Sequence, residues 1–488
     1  MALRARLTPP RETKTDWHWH KVKSSSLRAS LLFSGGRRME AENFLASGFG
    51  TRLAIEAKSG GWSTLAAVAR TWQPSRLKGI QVSREFGTPF LAATQVFDVR
   101  PIPRKWLSLD KTGDHSERIV NAGTILVTCS GNVGRATLAD ATIQGMLISH
   151  DLLRVEANNP DWWGWVYAYL RAPITREMMK AAQYGHIIKH LETHHMDALP
   201  IVHVGDMQLA AFTTRVKEVL EKRTRAHALT LEAENLFEKA FGPFEVSDLG
   251  EQGFVTKASA ISGARRRLDA WHHNPSAKAI SDHLDVRAQA WASVEKLGFD
   301  VWLPTRFKRV AASEGLELLD SSDLFEVNPD ITKRIADQNF GDAFAGRVKA
   351  GWLLLSRSGQ IYGVNGSAMV AGVCHEEKIV SDHIIRIAPR TALCRVGYLL
   401  MAMTHPTLGR PRVKALPYGS SIPEIEVFDV QQFMVPRLDE SVEAAIADRV
   451  EEAARLRDAA DTLESEIASD ADEVISDFLA HKSQVSLV

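Results

Sequence analysis

The stretch Gly123-Thr-Ile-Leu-Val-Thr-Cys-Ser130-Gly131 returns later in the chain as Gly351-Trp-Leu-Leu-Leu-Ser-Arg-Ser358-Gly359. Both copies begin with glycine, continue as a short apolar run typical of a buried strand, and end in a Ser-Gly turn. The first copy lies in the N-terminal half of the chain and the second in the C-terminal half. The pattern predicts a module that combines strands and helices and occurs twice.

Three further pairs of segments support the duplication, and they occur in the same order in both halves. They are Phe97-Asp-Val99 with Phe325-Glu-Val327, the stretch 148–155 with 380–387, and Tyr184-Gly185 with Tyr418-Gly419. The spacing between the members of a pair stays nearly constant along the chain. Chance does not readily supply four ordered pairs, so we predict two equivalent surfaces that grip two similar objects at a set separation.

Length and composition indicate a soluble protein of several domains. The 488 residues are 45% hydrophobic and 24% charged, and they contain no apolar run long enough to span a membrane. The N-terminus lacks the apolar core of a signal peptide. Cys129, Cys374 and Cys394 show no paired spacing, which argues against disulfides or a zinc ribbon and predicts a cytoplasmic location.

The formal net charge of zero hides a division between acidic and basic segments. In residues 439–479, acidic side chains outnumber arginines fourteen to three, whereas residues 1–38 are strongly basic. A basic body that keeps its acidic segment separate is typical of a protein that binds a polyanion.

Two long helices are predicted, one after each copy of the module. In 206–241 apolar residues step alternately by three and four, with interruptions at Arg223 and Thr230, and Gly242-Pro243 ends the pattern. The seam of this first helix includes Leu209, Phe212, Val216 and Val219. The seam of the second helix, in 439–479, includes Val450, Leu456, Leu463 and Ile467.

Because the two helices occupy equivalent places in the repeat, we expect them to pack on each other and to act as a spacer. A helix as long as 206–241 would measure about 54 Å. The alternative is that each helix is amphipathic and lies on its own module. The predicted division of the chain is a basic extension (1–37), module 1 (38–205), helix 1 (206–243), a linker (244–264), module 2 (265–438), helix 2 (439–480) and a tail (481–488).

Few motifs for catalysis or metal binding are present. His190 and His194 are spaced as a metal pair on a helix, but no third ligand follows and the second copy lacks both, so no metal site is predicted. Glu56 and Lys58 would suit the end of a nuclease motif if Leu53-Ala-Ile were a strand, although residues 39–55 contain no Asp to complete it. The Ser-Gly turns can approach a phosphate or a base edge closely, or can be plain β-turns.

The order of these motifs resembles that of the DNA-specificity subunit of type I restriction–modification systems. The resemblance rests on Arg267-Leu-Asp-Ala270 at the start of module 2, on the repeated Ser-Gly strands, and on Tyr184-Gly-His-Ile-Ile-Lys-His-Leu191 leading into the first helix. It implies two target-recognition domains, each reading half of a split DNA site. It also implies an antiparallel helix pair that measures the gap between the half-sites.

The resemblance further implies partners and a division of labour. Two DNA adenine methyltransferase subunits, and a restriction or effector subunit, would dock on the helices of a bacterial defence complex. The methyltransferases would use S-adenosylmethionine and flip an adenine, whereas this chain would hold no cofactor and perform no chemistry. The DNA-binding candidates are Ser130, Asn132, Arg135, Tyr184, Lys189, Arg357, Ser358, Gln360 and Tyr418.

The resemblance also carries expectations about the DNA target. Because the two modules differ in sequence, the target is expected to be an asymmetric bipartite site. Deleting one heptad from the first helix is expected to change the gap and not the half-sites. The alternatives are a metal-dependent nuclease that uses Glu56 and Lys58, and an interaction scaffold that binds no DNA. The basic extension and Ser420-Ser-Ile-Pro-Glu in module 2 mark a divergent member of the family.

Overall fold

The computed structural model describes residues 27–30, 40–76, 79–113, 115–185, 187–245, 253–262, 266–336, 343–360, 363–419 and 421–480. Most of the predicted basic extension, the tail from 481 onward and part of the predicted linker lie outside these ranges. The fold is α+β, with two modules of similar topology that are each followed by a long helix, as predicted.

Module 1 contains short helices and ten strands within the described residues. Its helices are α1 (Ala41–Leu45), α2 (Ser47–Glu56), α3 (Leu65–Val68), α4 (His115–Arg118), α5 (Trp163–Arg171), α6 (Pro173–Ala182) and α7 (Thr193–Asp197). Its strands are β1 (Trp62–Thr64), β2 (Ala69–Trp72), β3 (Gln81–Val82), β4 (Thr88–Leu91), β5 (Lys105–Leu107), β6 (Ile125–Thr128), β7 (Ala136–Leu138), β8 (Leu147–Ile148), β9 (Leu152–Ala157) and β10 (Pro200–Val202). The first long helix, α8 (Asp206–Phe241), follows.

Module 2 repeats this plan after one helical turn, α9 (Ala258–Ile261), in the predicted linker. Its helices are α10 (Pro275–Asp285), α11 (Ala343–Gly346), α12 (Val396–Thr404), α13 (Arg410–Lys414) and α14 (Val427–Gln431). Its strands are β11 (Ala290–Ser293), β12 (Phe299–Trp302), β13 (Ala311–Leu319), β14 (Arg334–Ile335), β15 (Leu353–Ser356), β16 (Ala368–Val370), β17 (Ile379–Val380), β18 (Ile384–Pro389) and β19 (Met434–Arg437). The second long helix, α15 (Glu440–Ala480), ends the described chain.

The main sheets of the two modules correspond strand for strand, and the smaller sheets differ by one strand. An antiparallel main sheet has the order β2-β9-β6-β7 in module 1 and β12-β18-β15-β16 in module 2. A smaller sheet, with the order β3-β5-β4-β8 or β14-β13-β17, contains one parallel pair in each module, β4 with β8 and β13 with β17. Two-stranded pairs β1–β10 and β11–β19 connect the start and end of each module. The predicted duplication is therefore confirmed in the topology.

The repeated apolar strands lie at the centre of each core. All four residues of β6 and all four of β15 are buried, which is why these strands read as continuous apolar runs. Helix α5 covers one core with seven buried residues, among them Trp165, whose ring lies 4.9 Å from that of Phe212 on the first long helix. Each module thus uses part of a long helix to complete its core.

The two long helices pack against each other in antiparallel orientation, as predicted. Their cross-contacts run in opposite directions along the two segments: Arg215 pairs with Asp470, Arg223 with Glu464, Thr230 with Arg457, and Glu232 with Arg449. The first long helix ends at Gly242, whose φ of +85° suits glycine, and Pro243 follows. The predicted start and end of this helix are confirmed.

Each long helix also packs on both modules, so both interpretations of the helices hold in part. The N-terminal half of the first helix and the C-terminal half of the second share the core of module 1. The other two halves share the core of module 2. The predicted seam residues Leu209, Phe212, Val216, Val219, Val450 and Ile467 are buried, and Leu456 and Leu463 are half-buried. These side chains therefore join the two long helices to each other and to the module cores.

Two glycines at equivalent places in the repeat let the modules approach the long helices closely. A Cβ atom on Gly164 in α5 would overlap the backbone of Thr213, and one on Gly397 in α12 would lie 2.7 Å from the carbonyl oxygen of Ala447. Thr213 and Ala447 are themselves equivalent positions in the repeat. The same backbone-to-backbone contact therefore occurs in both halves.

Replacing Gly164 by alanine is expected to destabilise the protein by about 1–3 kcal/mol, because backbone atoms of the first long helix must move away. Chemical denaturation followed by circular dichroism measures the change. Gly50→Ala is the matched control, since Gly50 is also helical and a Cβ there meets no atom within 4 Å. The free energy of unfolding of the control is expected to rise by up to about 1 kcal/mol, because alanine has a higher helix propensity than glycine. Equal stability of Gly164→Ala and wild type would contradict the close contact.

Candidate nucleic-acid interface

The Ser-Gly turn and the Tyr-Gly segment of module 1 come together in one unit. Backbone hydrogen bonds pair Tyr184 with His190 in both directions, at 2.9 and 2.7 Å, so 184–185 and 187–190 face each other as a hairpin. Ser130 bridges to the same strand, and its Oγ lies 3.1 Å from Nδ1 of His190. The N–H of Gly131 donates to the carbonyl of Lys189 at 3.0 Å. We call this the first turn–hairpin unit (residues 130–131, 184–185 and 187–190).

Module 2 builds the same unit from the equivalent residues. Tyr418 and Glu424 exchange backbone hydrogen bonds of 2.9 Å, and Gly359 N–H donates to the carbonyl of Pro423 at 3.2 Å. Ser358 Oγ lies 3.1 Å from Oε1 of Glu424. We call residues 358–359, 418–419 and 421–424 the second turn–hairpin unit. Seven of the nine predicted DNA-binding residues belong to or contact these two units: Ser130, Tyr184, Lys189, Arg357, Ser358, Gln360 and Tyr418.

The hairpin tips expose apolar side chains in both modules. Ile187 is 99% exposed and Ile188 is 56% exposed, while Ile422, the equivalent of Ile188, is 63% exposed. Isoleucine at such exposure has no role in the core. The tips therefore project toward the surroundings, which suits a contact with another molecule.

The charged and polar candidates around the units are held by local partners. Lys189 forms an ion pair with Glu42 of α1. Arg357 pairs with Glu424 at 2.6 Å, and Gln360 Nε2 donates to the carbonyl of Ser421 at 3.1 Å. These contacts orient the side chains at the surface, but a DNA phosphate would have to compete with a carboxylate for Lys189 and Arg357.

Asn132 and Arg135 face the other module. Arg135 is only 7% exposed, and its Nη1 pairs with Glu326 of module 2 at 2.6 Å. The Nδ2 atom of Asn132 donates to Asp330 of module 2 at 3.0 Å. The expectation that Arg135 offers its guanidinium to DNA does not fit this burial, because the charge is already satisfied within the chain.

The repeated arginines of the stretches 148–155 and 380–387 are structural. Arg154 and Arg386 have no exposed surface. Arg154 donates to the carbonyls of Ile148 and Ser149 at 3.0 Å, and Arg386 donates to those of Val380 and Ser381 at 2.7 and 2.8 Å. Each guanidinium closes the turn between two strands, which explains why both copies contain arginine at this place.

Sequence reasoning missed the basic side chains on the smaller sheets. These sheets are much less buried than the main sheets, and Lys105 on β5 and Lys333 beside β14 are both exposed. The two lysines occupy equivalent positions in the repeat, a signal that was available in the sequence. Further exposed basic residues on or near the smaller sheets are Arg84, Arg104 and Lys111 in module 1 and Arg306, Lys308 and Arg334 in module 2. Such a surface favours phosphate contacts.

The histidines and cysteines take structural places in the described chain. His190 contacts Ser130, His195 accepts the N–H of Glu192 at 3.1 Å, and His203 contacts Ser63. Among the described residues, ligand atoms gather only at Cys374, His375 and Asp458. There Asp458 already accepts two backbone N–H groups and His375 Nδ1 accepts a third, so this cluster is a turn capped by Asp458.

The nuclease alternative required Leu53-Ala-Ile to be a strand, and it is part of helix α2. Glu56 pairs with Arg52 one turn earlier in that helix. Lys58 donates to the carbonyl of Leu479 on the second long helix at 3.2 Å and lies over the ring of Phe478. Lys58 thus anchors module 1 to the second long helix, and the two residues do not form the strand-end arrangement that the nuclease motif needs.

Asp98 lies where the two modules touch, and it makes a pH-dependent contribution to stability. Burial, reinforced by the nearby Glu326 carboxylate, raises the pKa of Asp98 to about 7, while Arg104, Arg135 and Arg410 oppose the shift. Because the folded-state pKa exceeds the unfolded value, the contribution to stability is largest in acid and is lost as the pH rises through about 7.

The variant Asp98→Asn is expected to melt at the same temperature as wild type near pH 4 and a few degrees higher near pH 9, since the amide stays neutral. Thermal scans across this pH range test the prediction. Asp110→Asn is the control for removing an exposed carboxylate. A difference in melting temperature that does not grow with pH would contradict the assignment.

Comparison with solved structures finds similarity along most of the chain. The S subunit of the type I restriction–modification system from M. genitalium shares 14% identity at a TM-score of 0.31, covering 87% of this chain and 97% of that one. The HsdS subunit from Thermoanaerobacter tengcongensis shares 13% identity at a TM-score of 0.26, with 86% and 96% covered. A chain from a structural study of complex assembly in the type I R-M system shares 14% identity at a TM-score of 0.27, covering 86% of this chain and 97% of that one.

No family model matches the chain, and no curated protein sequence matches it. Within the described residues, no helix has the length and apolar character needed to cross a membrane. The similarities to solved structures are low in identity and in TM-score, and they coincide with the resemblance predicted from the sequence.

Proposed function

We propose that this chain is a DNA-specificity subunit that reads an asymmetric bipartite site and positions methyltransferase subunits on it. The observation that carries the proposal is the arrangement of two modules of one topology around an antiparallel helix pair. Duplex DNA has local two-fold axes perpendicular to its length. A protein with an internal two-fold relation therefore presents equivalent faces to two sites along one duplex.

The differences between the modules support unlike half-sites. The smaller sheet of module 1 combines Lys105 with Arg84, which lies over the ring of Trp106. In module 2 the corresponding sheet places Arg334 where module 1 has Trp106. Phosphate contacts from these cations position the modules, and the loops that differ between them would read different base edges.

The two-fold relation also gives two equivalent docking places for a partner. The seam residues are buried, so docking falls to the outer face of the helix pair, where acidic side chains such as Asp448 and Glu466 remain well exposed. Two adenine methyltransferase subunits with S-adenosylmethionine, together with a restriction or effector subunit, are the proposed partners. The chain itself supplies binding and no chemistry, in the cytoplasm of a bacterial cell.

The test is selection of bound sequences from a random double-stranded DNA library by the purified complex of this chain with its methyltransferase. We expect two unlike half-sites separated by a fixed gap, and binding that weakens steeply with salt. Lys105→Ala and Lys333→Ala are each expected to reduce the slope of the logarithm of the binding constant against the logarithm of salt concentration by about 1, the contribution of one phosphate contact. Lys278→Ala is the control, because Lys278 is exposed and ion-paired, as Lys333 is with Asp320, but it lies on α10 and not on a smaller sheet.

Two outcomes would reject this function. A contiguous palindromic target would contradict unlike modules. Failure of the complex to retain any DNA at low salt would favour the interaction scaffold that binds no DNA.

A further inference from the structure

The two modules touch each other through segments that are equivalent in the repeat. Val99 N–H donates to the carbonyl of Phe325 at 2.8 Å, and Val327 N–H donates to the carbonyl of Phe97 at 2.5 Å. Asp98 and Glu326 thus face each other in an antiparallel bridge. We call the paired segments 97–99 and 325–330, with the side chains that brace them, the intermodule clasp.

The clasp lies on the two-fold axis of the molecule. When two equivalent segments pair with each other, the axis that relates them must pass between them. The helix pair meets the same condition. Arg223 and Arg457 are equivalent positions in the repeat, and so are Thr230 and Glu464. Arg223 contacts Glu464, and Arg457 contacts Thr230. A cavity of about 20 Å³ on this axis is lined by both elements: Val99, Val327, Arg223, His227, Arg457 and Asp461 contribute to it. The modules are therefore joined at two neighbouring places, the helix pair and the clasp.

Arg135 braces the clasp from module 1. Its guanidinium pairs with Glu326, donates to the carbonyls of Val327 and Asn328 at 3.1 and 3.0 Å, and lies 3.8 Å from the centre of the Phe97 ring. A buried guanidinium with this many partners fixes both the distance and the angle between the surfaces it joins.

A second brace joins Arg176 of α6 to Asp330. Arg176 Nη2 lies 2.6 Å from Oδ2 of Asp330, which also accepts from Asn132. Burial alone would raise the pKa of Asp330, but the hydrogen bonds from Arg176 and Asn132 hold it below its usual value. The other side of the axis lacks both ion pairs, since Ser367 and Ile102 stand at the places equivalent to Arg135 and Asp330.

We propose that the clasp, together with the helix pair, sets the separation of the two DNA half-sites, and that the clasped form is the form that reads DNA. This inference rests on the proposed function. Its reason is mechanical: a helix pair alone lets two modules rock, whereas a second attachment removes that freedom before DNA binds. The residues that set the gap are then Arg135, Arg176, Glu326 and Asp330, besides the length of the helices.

One experiment locks the clasp. Asp98 and Glu326 form a non-hydrogen-bonded antiparallel pair, a geometry in which Cα atoms are close enough for a disulfide. The double variant Asp98→Cys/Glu326→Cys is oxidised, and library selection is repeated with the methyltransferase complex. We expect the half-sites and the gap of wild type. Loss of DNA binding on oxidation that is restored by a reductant would overturn the proposal, because the clasped form would then be inactive. Asp98→Cys alone is the control.

A second experiment opens the clasp. Arg176→Asp is expected to keep both half-sites but to accept several gap lengths, so that the preference for the wild-type gap over a gap one base pair longer falls about tenfold or more. The charge-swapped double variant Arg176→Asp/Asp330→Arg is expected to restore the single gap. If Arg176→Asp remains folded and selects one sharp gap, the helices alone set the spacing and the proposal is wrong. If wild type itself selects no bipartite site, the proposed function fails first and the inference falls with it.

Discussion

Replacing Glu464 by alanine is expected to lower the free energy of unfolding by about 3–5 kcal/mol, the usual result of removing one member of a buried ion pair. Glu464 has no exposed surface. Its carboxylate contacts Arg223, which is 4% exposed, and lies 3.7 Å from Arg171. Its removal leaves two buried guanidinium groups with less compensation.

The repeat provides a matched control for this variant. Thr230 stands at the place equivalent to Glu464 and accepts from Arg457 at 2.7 Å. Thr230→Ala removes only a hydrogen bond to a charged group, and it is expected to lower the free energy of unfolding by about 1.5–3 kcal/mol. Denaturant unfolding followed by circular dichroism compares the two variants. The double variant Arg223→Met/Glu464→Met removes the central pair together and is expected to recover much of the loss. A loss below about 1 kcal/mol for Glu464→Ala would show that the pair carries little stability.

The sequence predicted the helices well because their signals are local. The apolar spacing and Gly242-Pro243 set the bounds of the first long helix, and the structure confirms them. The two interruptions of the seam, Arg223 and Thr230, both make polar contacts with the other helix. A polar residue in an apolar seam therefore marked the centre of the helix pair, although its partner could not be read from spacing alone.

The candidate site was harder to predict, because repeated residues and DNA-contacting residues obey different constraints. Arg154 and Arg386 recur because both modules need a buried guanidinium at one turn. Arg135 resembled a phosphate contact in sequence, but its partner Glu326 belongs to the other module. The repeat marked 97–99 and 325–327 as equivalent, and nothing local to either segment indicates that they pair with each other.

The largest expected effect on function comes from lengthening both long helices by one heptad. Deleting a heptad from the first helix alone would shift Arg223 and Thr230 out of register with Glu464 and Arg457, so that change disturbs the pairing as well as the length. Matched heptad insertions, after Ala226 and after Ala460, keep the helices in register. They add about 10.5 Å and turn one module relative to the other by only about 20°.

This double insertion pulls the modules apart and must open the clasp, because Val99 and Phe325 now touch. One base pair rises about 3.4 Å, so the gap is expected to grow by about three base pairs while both half-sites stay the same. With the clasp open, neighbouring gap lengths are expected to bind as well. Methylome sequencing of cells that carry the variant with its methyltransferase measures both effects. An unchanged gap would mean that the helices do not separate the half-sites. If the variant binds a single longer gap as selectively as wild type binds its own, the helices set the gap length without the clasp.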